Sequence, residues 1–202
     1  MDALILAAGR SMRMGTNKLL LPYMGGTLLS AVIDSAQKSD FDMTYVVVSR
    51  ETLSVVTSWG YNRVQFVLNE KPEAGQSGSL QLGLRAIESK EDSFCILLGD
   101  MPMVTSEVLR GLRSSFLELP QNKSAMIPVR DGRFGHPSWF RPIWKHRLLE
   151  SSGDMGGREI IGRYKDEVSF ISGADYCFFD VDTPRDYELL KGKEVCPPAP
   201  SQ

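Results

Sequence analysis

Short apolar runs alternate with amphipathic stretches through the first half of the chain. The runs at Ala3–Leu6, Tyr45–Ser49, Val64–Leu68 and Phe94–Leu98 have strand length and are mostly apolar, as strands packed beneath helices are. Between and after them the apolar residues recur at helical spacing, which predicts helices at Thr27–Lys38, Leu53–Ser58, Ser77–Glu88 and Ser106–Leu117. Further strands are expected at Ala125–Val129, Val168–Ile171 and Cys177–Val181, and helices at Pro142–Leu149 and Pro184–Lys191, with Thr183 as the N-cap of the last.

Strand–helix alternation implies right-handed crossovers and a mostly parallel sheet. The segment from Ala125 through "DGR" to Phe134–Phe140 reads instead as a strand pair bridged by a glycine turn, hence a small antiparallel insertion. The expected fold is α/β, a three-layer Rossmann-like sheet forming one domain over residues 1–192, with 193–202 a disordered Pro-rich tail.

Composition narrows the partners. With 202 residues, 42% hydrophobic and 24% charged, the chain can bury a substantial core, and a net charge of −2 argues against a general nucleic-acid or anionic-membrane surface. Neither a signal peptide nor a membrane-spanning run is visible, so a cytoplasmic location is expected. The three cysteines are widely spaced and lack zinc-site spacing; Cys95 and Cys177 lie in apolar runs and read as buried free thiols.

In open α/β sheets ligands bind beyond the carboxyl ends of the strands, so the segments that follow strands deserve the closest reading. After the first strand comes "AAGRSMRMGTNK". Its Gly9 and Gly15 open the backbone to a ligand, and Arg10, Arg13 and Lys18 offer charge to a triphosphate. It is neither GxxxxGK[ST] nor GxGxxG, which excludes a P-loop enzyme and removes the support for an NAD-dependent oxidoreductase. "GQSGSL" places Gln76, Ser77 and Ser79 at a helix start suited to a phosphate or a base edge. Asp100 in "LLGDMP" is either a Mg²⁺ ligand at a strand end or the N-cap of the next helix; Asp180 and Asp182 in "DVDTP" likewise offer a second ligand or a cap. His136 in "GRFGHPSWF" is one of only two histidines, and Arg158 in "SSGDMGGR" can meet an anionic second substrate.

Taken in order, "LILAAGRSMRMGTNKLLLP", "GQSGSLQLGL", "LLGDMPMV", "GHPSWF", "GDMGGR" and "DVDTPRDY" resemble the motifs of the molybdenum-cofactor nucleotidyltransferases over residues 3 to 190. The loop Leu6-Ala7-Ala8-Gly9 is similar to the cytidylyl branch, where the guanylyl branch has Leu-Ala-Gly-Gly. The resemblance implies a nucleotide-diphospho-sugar transferase-like fold and Mg²⁺-dependent transfer of CMP from CTP to the phosphate of molybdopterin. It implies that Ala7, Ala8, Gly9, Gly15, Gln76, Ser77 and Ser79 contact the nucleotide, and that Arg13 and Lys18 hold its phosphates. It further implies Asp100 and Asp182 on the metal, His136, Pro137, Asp154 and Arg158 toward the pterin, and a molybdenum hydroxylase as an acceptor of the product. GTP, another phosphorylated acceptor such as a sugar 1-phosphate, and a non-catalytic cofactor carrier are the competing readings.

Overall fold

The computed structural model describes residues 1–9, 14–89, 91–151 and 157–194. The strands are β1 (Asp2–Ala7), β2 (Pro22–Tyr23), β3 (Gly26–Thr27), β4 (Thr44–Val48), β5 (Val64–Leu68), β6 (Phe94–Leu98), β7 (Ala125–Arg130), β8 (Arg133–Phe134), β9 (Ser138–Phe140) and β10 (Val168–Ser172). The α-helices are α1 (Leu28–Gln37), α2 (Arg50–Val56), α3 (Gly75–Ala86), α4 (Ser106–Leu117), α5 (Ile143–Leu149), α6 (Arg158–Arg163) and α7 (Pro184–Glu194).

One sheet runs β10-β7-β9-β6-β1-β4-β5, with β8 hairpinned onto β7 and β2–β3 a separate ribbon. β1 pairs in parallel with both β4 and β6, which the chain reaches in opposite directions. The crevice beyond the carboxyl ends of β1 and β6 is therefore the topological switch point, where this class of sheet binds ligands. The expected antiparallel segment exists, but it lies within the sheet: β9 is inserted between β6 and β7 and is antiparallel to both. Its start, at Ser138, stands opposite Ile96, so the segment just before it reaches the same rim.

Side chains alternate along β1 between two cores. Ala3, Ile5 and Ala7 pack with Leu29 and Ile33 of α1 and Leu109 of α4, whereas Leu4 packs with Leu80 and Leu84 of α3 and Trp144 of α5. This sorting makes the three layers. α3 lies unusually close to the sheet, since a Cβ at Gly83 would stand 2.3 Å from Leu4 Cδ1 and 2.8 Å from Val47 Cγ2, both in fully buried side chains. That approach fixes the height of the α3 N-terminus above the rim.

Two expectations need correction. Cys177–Val181 is not a strand: Asp175–Cys177 is a 3₁₀ turn, and the chain then crosses the rim without pairing along its length. The main chain there is satisfied by loops instead, with His136 N donating to the Cys177 carbonyl at 3.0 Å and Val181 N to the Asp100 carbonyl at 3.1 Å. α3 also begins at Gly75, so Gln76 and Ser77 lie inside its first turn. The ribbon β2–β3 and helix α6 were not expected. Thr183 caps α7, accepting from Asp186 N at 3.2 Å while the Asp186 carboxylate accepts from Thr183 N at 2.8 Å. Cys95 and Cys177 are buried free thiols; Cys196 and residues 195–202 of the expected tail lie outside the described residues. Among the described residues no helix is long and apolar enough to cross a membrane.

Close packing at Gly83 makes a testable contrast with Gly111, where a Cβ would meet nothing within 4 Å. Gly83→Ala is expected to lower unfolding stability by about 1–3 kcal/mol through overpacking. Gly111→Ala in α4 should raise it by about 0.4–1 kcal/mol. Denaturant titration of both variants decides; changes of the same sign would contradict the close-approach account.

Candidate active site

Lys18 opens a 3₁₀ turn, Lys18–Leu20, which returns the chain from the first loop to the core through Leu19. Asn17 caps the turn: its side-chain oxygen accepts from Leu19 N at 3.2 Å and its amide donates to Thr52 Oγ1 at 3.0 Å. Held in this way, Lys18 is only 8% exposed, and its Nζ donates to Asp100 Oδ2 and to Asp182 Oδ1, each at 2.6 Å. One ammonium thus gathers carboxylates from the end of β6 and from the approach to α7.

Neither Asp100 nor Asp182 is a helix cap. The cap of α4 is Thr105, which accepts from Val108 N at 3.4 Å, and the cap of α7 is Thr183. Asp100 is carried over the rim by Gly99, where a Cβ would stand 2.9 Å from Ala7 Cβ, and Gly99 N donates to the Leu6 carbonyl at 2.9 Å. Asp182 is placed by the Val181–Asp100 backbone bond and by Asp186, whose carboxylate accepts from Asp182 N at 3.2 Å.

The cluster forms the floor of a cleft of about 730 Å³ walled by Ala7, Ala8, Gly9, Gln76, Ser79 and Arg158. An arm of about 740 Å³ continues past Ala8 and Gly9 to Gly15, Asn17 and Asn69. On the other side a cavity of about 190 Å³ runs under His136, sharing Gln76, Arg158 and Asp180 with the cleft. The expected nucleotide residues therefore converge, with one exception: Ser77 is 3% exposed and lines neither cleft nor arm. Ser79 reaches the cleft, and its hydroxyl accepts from the Asn69 amide at 2.9 Å. Pro137 is buried and does not line the cavity. Arg13 and Asp154 lie outside the described residues.

Charge is concentrated here. Burial disfavours the Lys18 ammonium, but Asp100 and Asp182 outweigh it and raise its pKa above the usual 10.5. The Asp180 carboxyl is pushed above its usual range by burial and then by the neighbouring Asp100 charge. Asp100 Oδ1 is buried without a hydrogen-bond partner, an acceptor that calls for a cation. Among the described residues no group of three or more His, Cys, Asp or Glu side chains is arranged to hold a metal alone. Two carboxylates joined across one positive charge do fit Mg²⁺, which takes one or two carboxylates and completes its shell with water and phosphate oxygens.

Residues missed in the sequence are those that hold others in place. Asn17 stands immediately before Lys18, and the N-cap preference of asparagine was the available signal. Asn69 follows the last residue of β5, a strand-end position, and its side-chain oxygen accepts from Lys71 N at 2.9 Å. Arg133, Phe134 and Phe178, which wall the cavity, carried no sequence signal beyond the rim they occupy.

Removing the Lys18 ammonium leaves Asp100 and Asp182 facing each other. Lys18→Met is expected to lower stability near neutral pH by about 1–3 kcal/mol, less than the ~3–5 kcal/mol of a fully buried pair because the Asp182 side chain is 42% exposed and screened. A lysine with a raised pKa stabilises fully below its unfolded value, so the difference from wild type should persist up to pH 10.5 and fade as pH climbs through the folded value. Chemical unfolding across that range checks it; a cost that does not fade at high pH would assign it to lost packing.

Similarity to known proteins agrees with this geometry. Residues 3–168 match the family model described as MobA-like NTP transferase domain. The molybdenum cofactor cytidylyltransferase of Escherichia coli is 30% identical over 191 residues, covering 94% of this chain and 95% of that protein. The purine catabolism protein PucB of Bacillus subtilis is 29% identical over 198 residues, covering 92% and 93%. The crystal structure of Rv0371c from Mycobacterium tuberculosis superposes with a TM-score of 0.80 at 28% identity over 94% of this chain and 95% of that one, and the same protein has been solved in complex with manganese (TM-score 0.76, 26% identity, 94% and 96% covered). The chain belongs to the MobA-like NTP transferase family and is a nucleotidyltransferase.

Proposed function

We propose that the protein transfers CMP from CTP to the phosphate of a molybdopterin-type cofactor and releases pyrophosphate. The observation that carries the reading is the shared contact of Lys18 with Asp100 and Asp182 on the floor of the cleft, with Asp100 Oδ1 left as a buried unpartnered acceptor. A carrier that only held the pterin would have no use for this cluster. The acceptor phosphate is already ionised near neutrality, so no general base is required. One of its oxygens attacks the α-phosphorus of CTP, the bond from that phosphorus to the bridging oxygen breaks, and the electron pair leaves with pyrophosphate.

Residues of this chain then have two tasks, positioning and charge neutralisation. Lys18 meets the triphosphate oxygens, and Arg13 has the same role by family resemblance. The first turn of α3, whose Gly75 and Gln76 line the cleft, sets the positive end of a helix beside the phosphates. Mg²⁺, or the manganese found with Rv0371c, would be held by Asp100 and Asp182 and would neutralise charge on the phosphates. Arg158, shared by cleft and cavity, stands where an acceptor phosphate would approach.

The preference for CTP rests on Ala8, 2% exposed at the junction of cleft and arm, and on the cytidylyltransferase relative. The purine catabolism relative, which matches nearly as much of the chain, supports a second reading with the same chemistry on a different phosphorylated acceptor.

Pyrophosphate release tests the proposal. Wild-type protein with divalent cation, CTP and molybdenum cofactor should release pyrophosphate, and Asp100→Asn should slow release by about 10²–10³-fold with folding intact. Ala8→Gly should narrow the preference for CTP over GTP. Release that needs no divalent cation, or none with any nucleotide and the cofactor, would overturn the proposal.

A further inference from the structure

Thr52 lines none of the spaces where a substrate could sit. It is 1% exposed and walls neither cleft, arm nor cavity. Its helix, α2, is seated on the core by the fully buried Val56 and by Leu53. Its hydroxyl nevertheless stands 3.0 Å from the side-chain amide of Asn17, across 35 positions of sequence, and Asn17 is the residue immediately before Lys18.

The direction of every hydrogen bond in this contact is fixed. Leu19 N only donates, so the Asn17 side-chain oxygen must face it, at 3.2 Å. The Asn17 amide nitrogen is thereby turned toward Thr52, whose Oγ1 accepts. Thr52 then has one hydrogen of its own to place. Ser49 Oγ, at 3.1 Å, is the acceptor that the described residues offer it. A bond in the opposite sense would strand the Thr52 hydrogen in a buried site, at a cost of about 1–3 kcal/mol. Ser49 Oγ also accepts from Thr52 N at 3.3 Å as the cap of α2. The Thr52 hydroxyl is thus used as donor and as acceptor, and its rotation is locked.

The Lys18 turn gains from such a hold. Its backbone bonds, Leu20 N to the Asn17 carbonyl and Leu21 N to the Lys18 carbonyl, each at 3.1 Å, lie within the turn and give it its shape. Leu19, 3% exposed, seats it by apolar contact, which has no direction. The Asn17–Thr52 bond supplies the direction, and so sets the point from which the Lys18 side chain starts. We infer that Thr52 is a positioning residue of the reaction: its hydroxyl, acting through Asn17, holds the Lys18 turn so that the ammonium meets the triphosphate oxygens. The inference rests on the phosphate role given to Lys18 in the proposed reaction and adds to it a residue remote from the reacting atoms. A displacement of about 1 Å at such a group is worth about 10²-fold in rate.

Two substitutions separate this role from a packing role. Thr52→Val keeps the branched shape and removes the hydroxyl, whereas Thr52→Ser keeps the hydroxyl. Ligand-free protein is treated with acetic anhydride, and acetylation of each lysine is followed by mass spectrometry. Lys18, 8% exposed and bonded to two carboxylates, should react slowly in wild type. Thr52→Val should speed its acetylation several-fold while leaving unchanged that of Lys145, a half-buried lysine that donates to the Ile87 and Ser89 carbonyls and reports any general loosening. Steady-state pyrophosphate release with CTP, divalent cation and molybdenum cofactor should show kcat lower by about 10–100-fold in Thr52→Val. KM for CTP should move far less, because the Lys18 charge counts most in the transition state. Thr52→Ser should stay near wild type in both measurements. Unchanged Lys18 acetylation in Thr52→Val, an equal rise at Lys145, a loss confined to KM, or a Thr52→Ser variant as impaired as Thr52→Val would overturn the inference. Acetylation needs no substrate, so the two claims part: a wild type that releases no pyrophosphate with any nucleotide overturns the proposed function, and the hold of Thr52 on Lys18 is then decided by acetylation alone.

Discussion

The site depends on a single ammonium held between two carboxylates. Lys18 is 82 residues from Asp100 and 164 from Asp182, yet its Nζ reaches both at 2.6 Å. Without a cation between them the two aspartates would repel each other across a partly buried rim. The arrangement ties the first strand–loop unit, the β6 end and the last crossing of the chain into one floor. Its cost is paid by neighbours that do no chemistry: Asn17 capping the lysine turn, Gly99 giving passage over Ala7, and Asp186 holding the main chain at Asp182.

Topology explains why those pieces can meet. β4 and β6 flank β1 in parallel, so the carboxyl ends of all three open on one side. Inserting β9 antiparallel beside β6 brings its preceding loop, with His136, to that same side. The crossing from β10 back to α7 then runs over the rim, exchanging backbone bonds with His136 and Asp100. The cleft and the cavity under His136 are therefore neighbours because of strand order, with Gln76, Arg158 and Asp180 as common walls.

Much of this was legible in the sequence, for physical reasons that differ by region. β1, β4 and β6 were recognisable because strands covered on both faces are apolar along most of their length, β5 because only Gln65 interrupts its apolar run, and the cap at Thr183 because hydroxyl capping is local. Lys18, Asp100 and Asp182 could be singled out because each follows a strand end or precedes a helix. Their meeting through one ammonium was not legible, since it depends on long-range packing. The Cys177–Val181 run failed as a strand because its apolar residues serve the rim crossing and the α7 contact, with Val181 packed against Leu28 and Leu190. The ribbon β2–β3 escaped notice because it is two residues a side, its turn made by Met24 and Gly25 at positive φ. Ser77 looked like a ligand-facing residue at a helix start; helix α3 begins two residues earlier and turns that side chain inward.

The central claim is that Asp100 and Asp182 seat the divalent cation that meets the nucleotide. Electron–nuclear double resonance on Mn²⁺ bound to the protein in the presence of CTP addresses it directly, because a phosphate in the metal shell gives a ³¹P coupling. The account predicts that coupling in wild type and loss of the bound Mn²⁺ signal in Asp100→Asn and in Asp182→Asn. Mn²⁺ that binds with CTP equally well in both variants, with unchanged coupling, would contradict it.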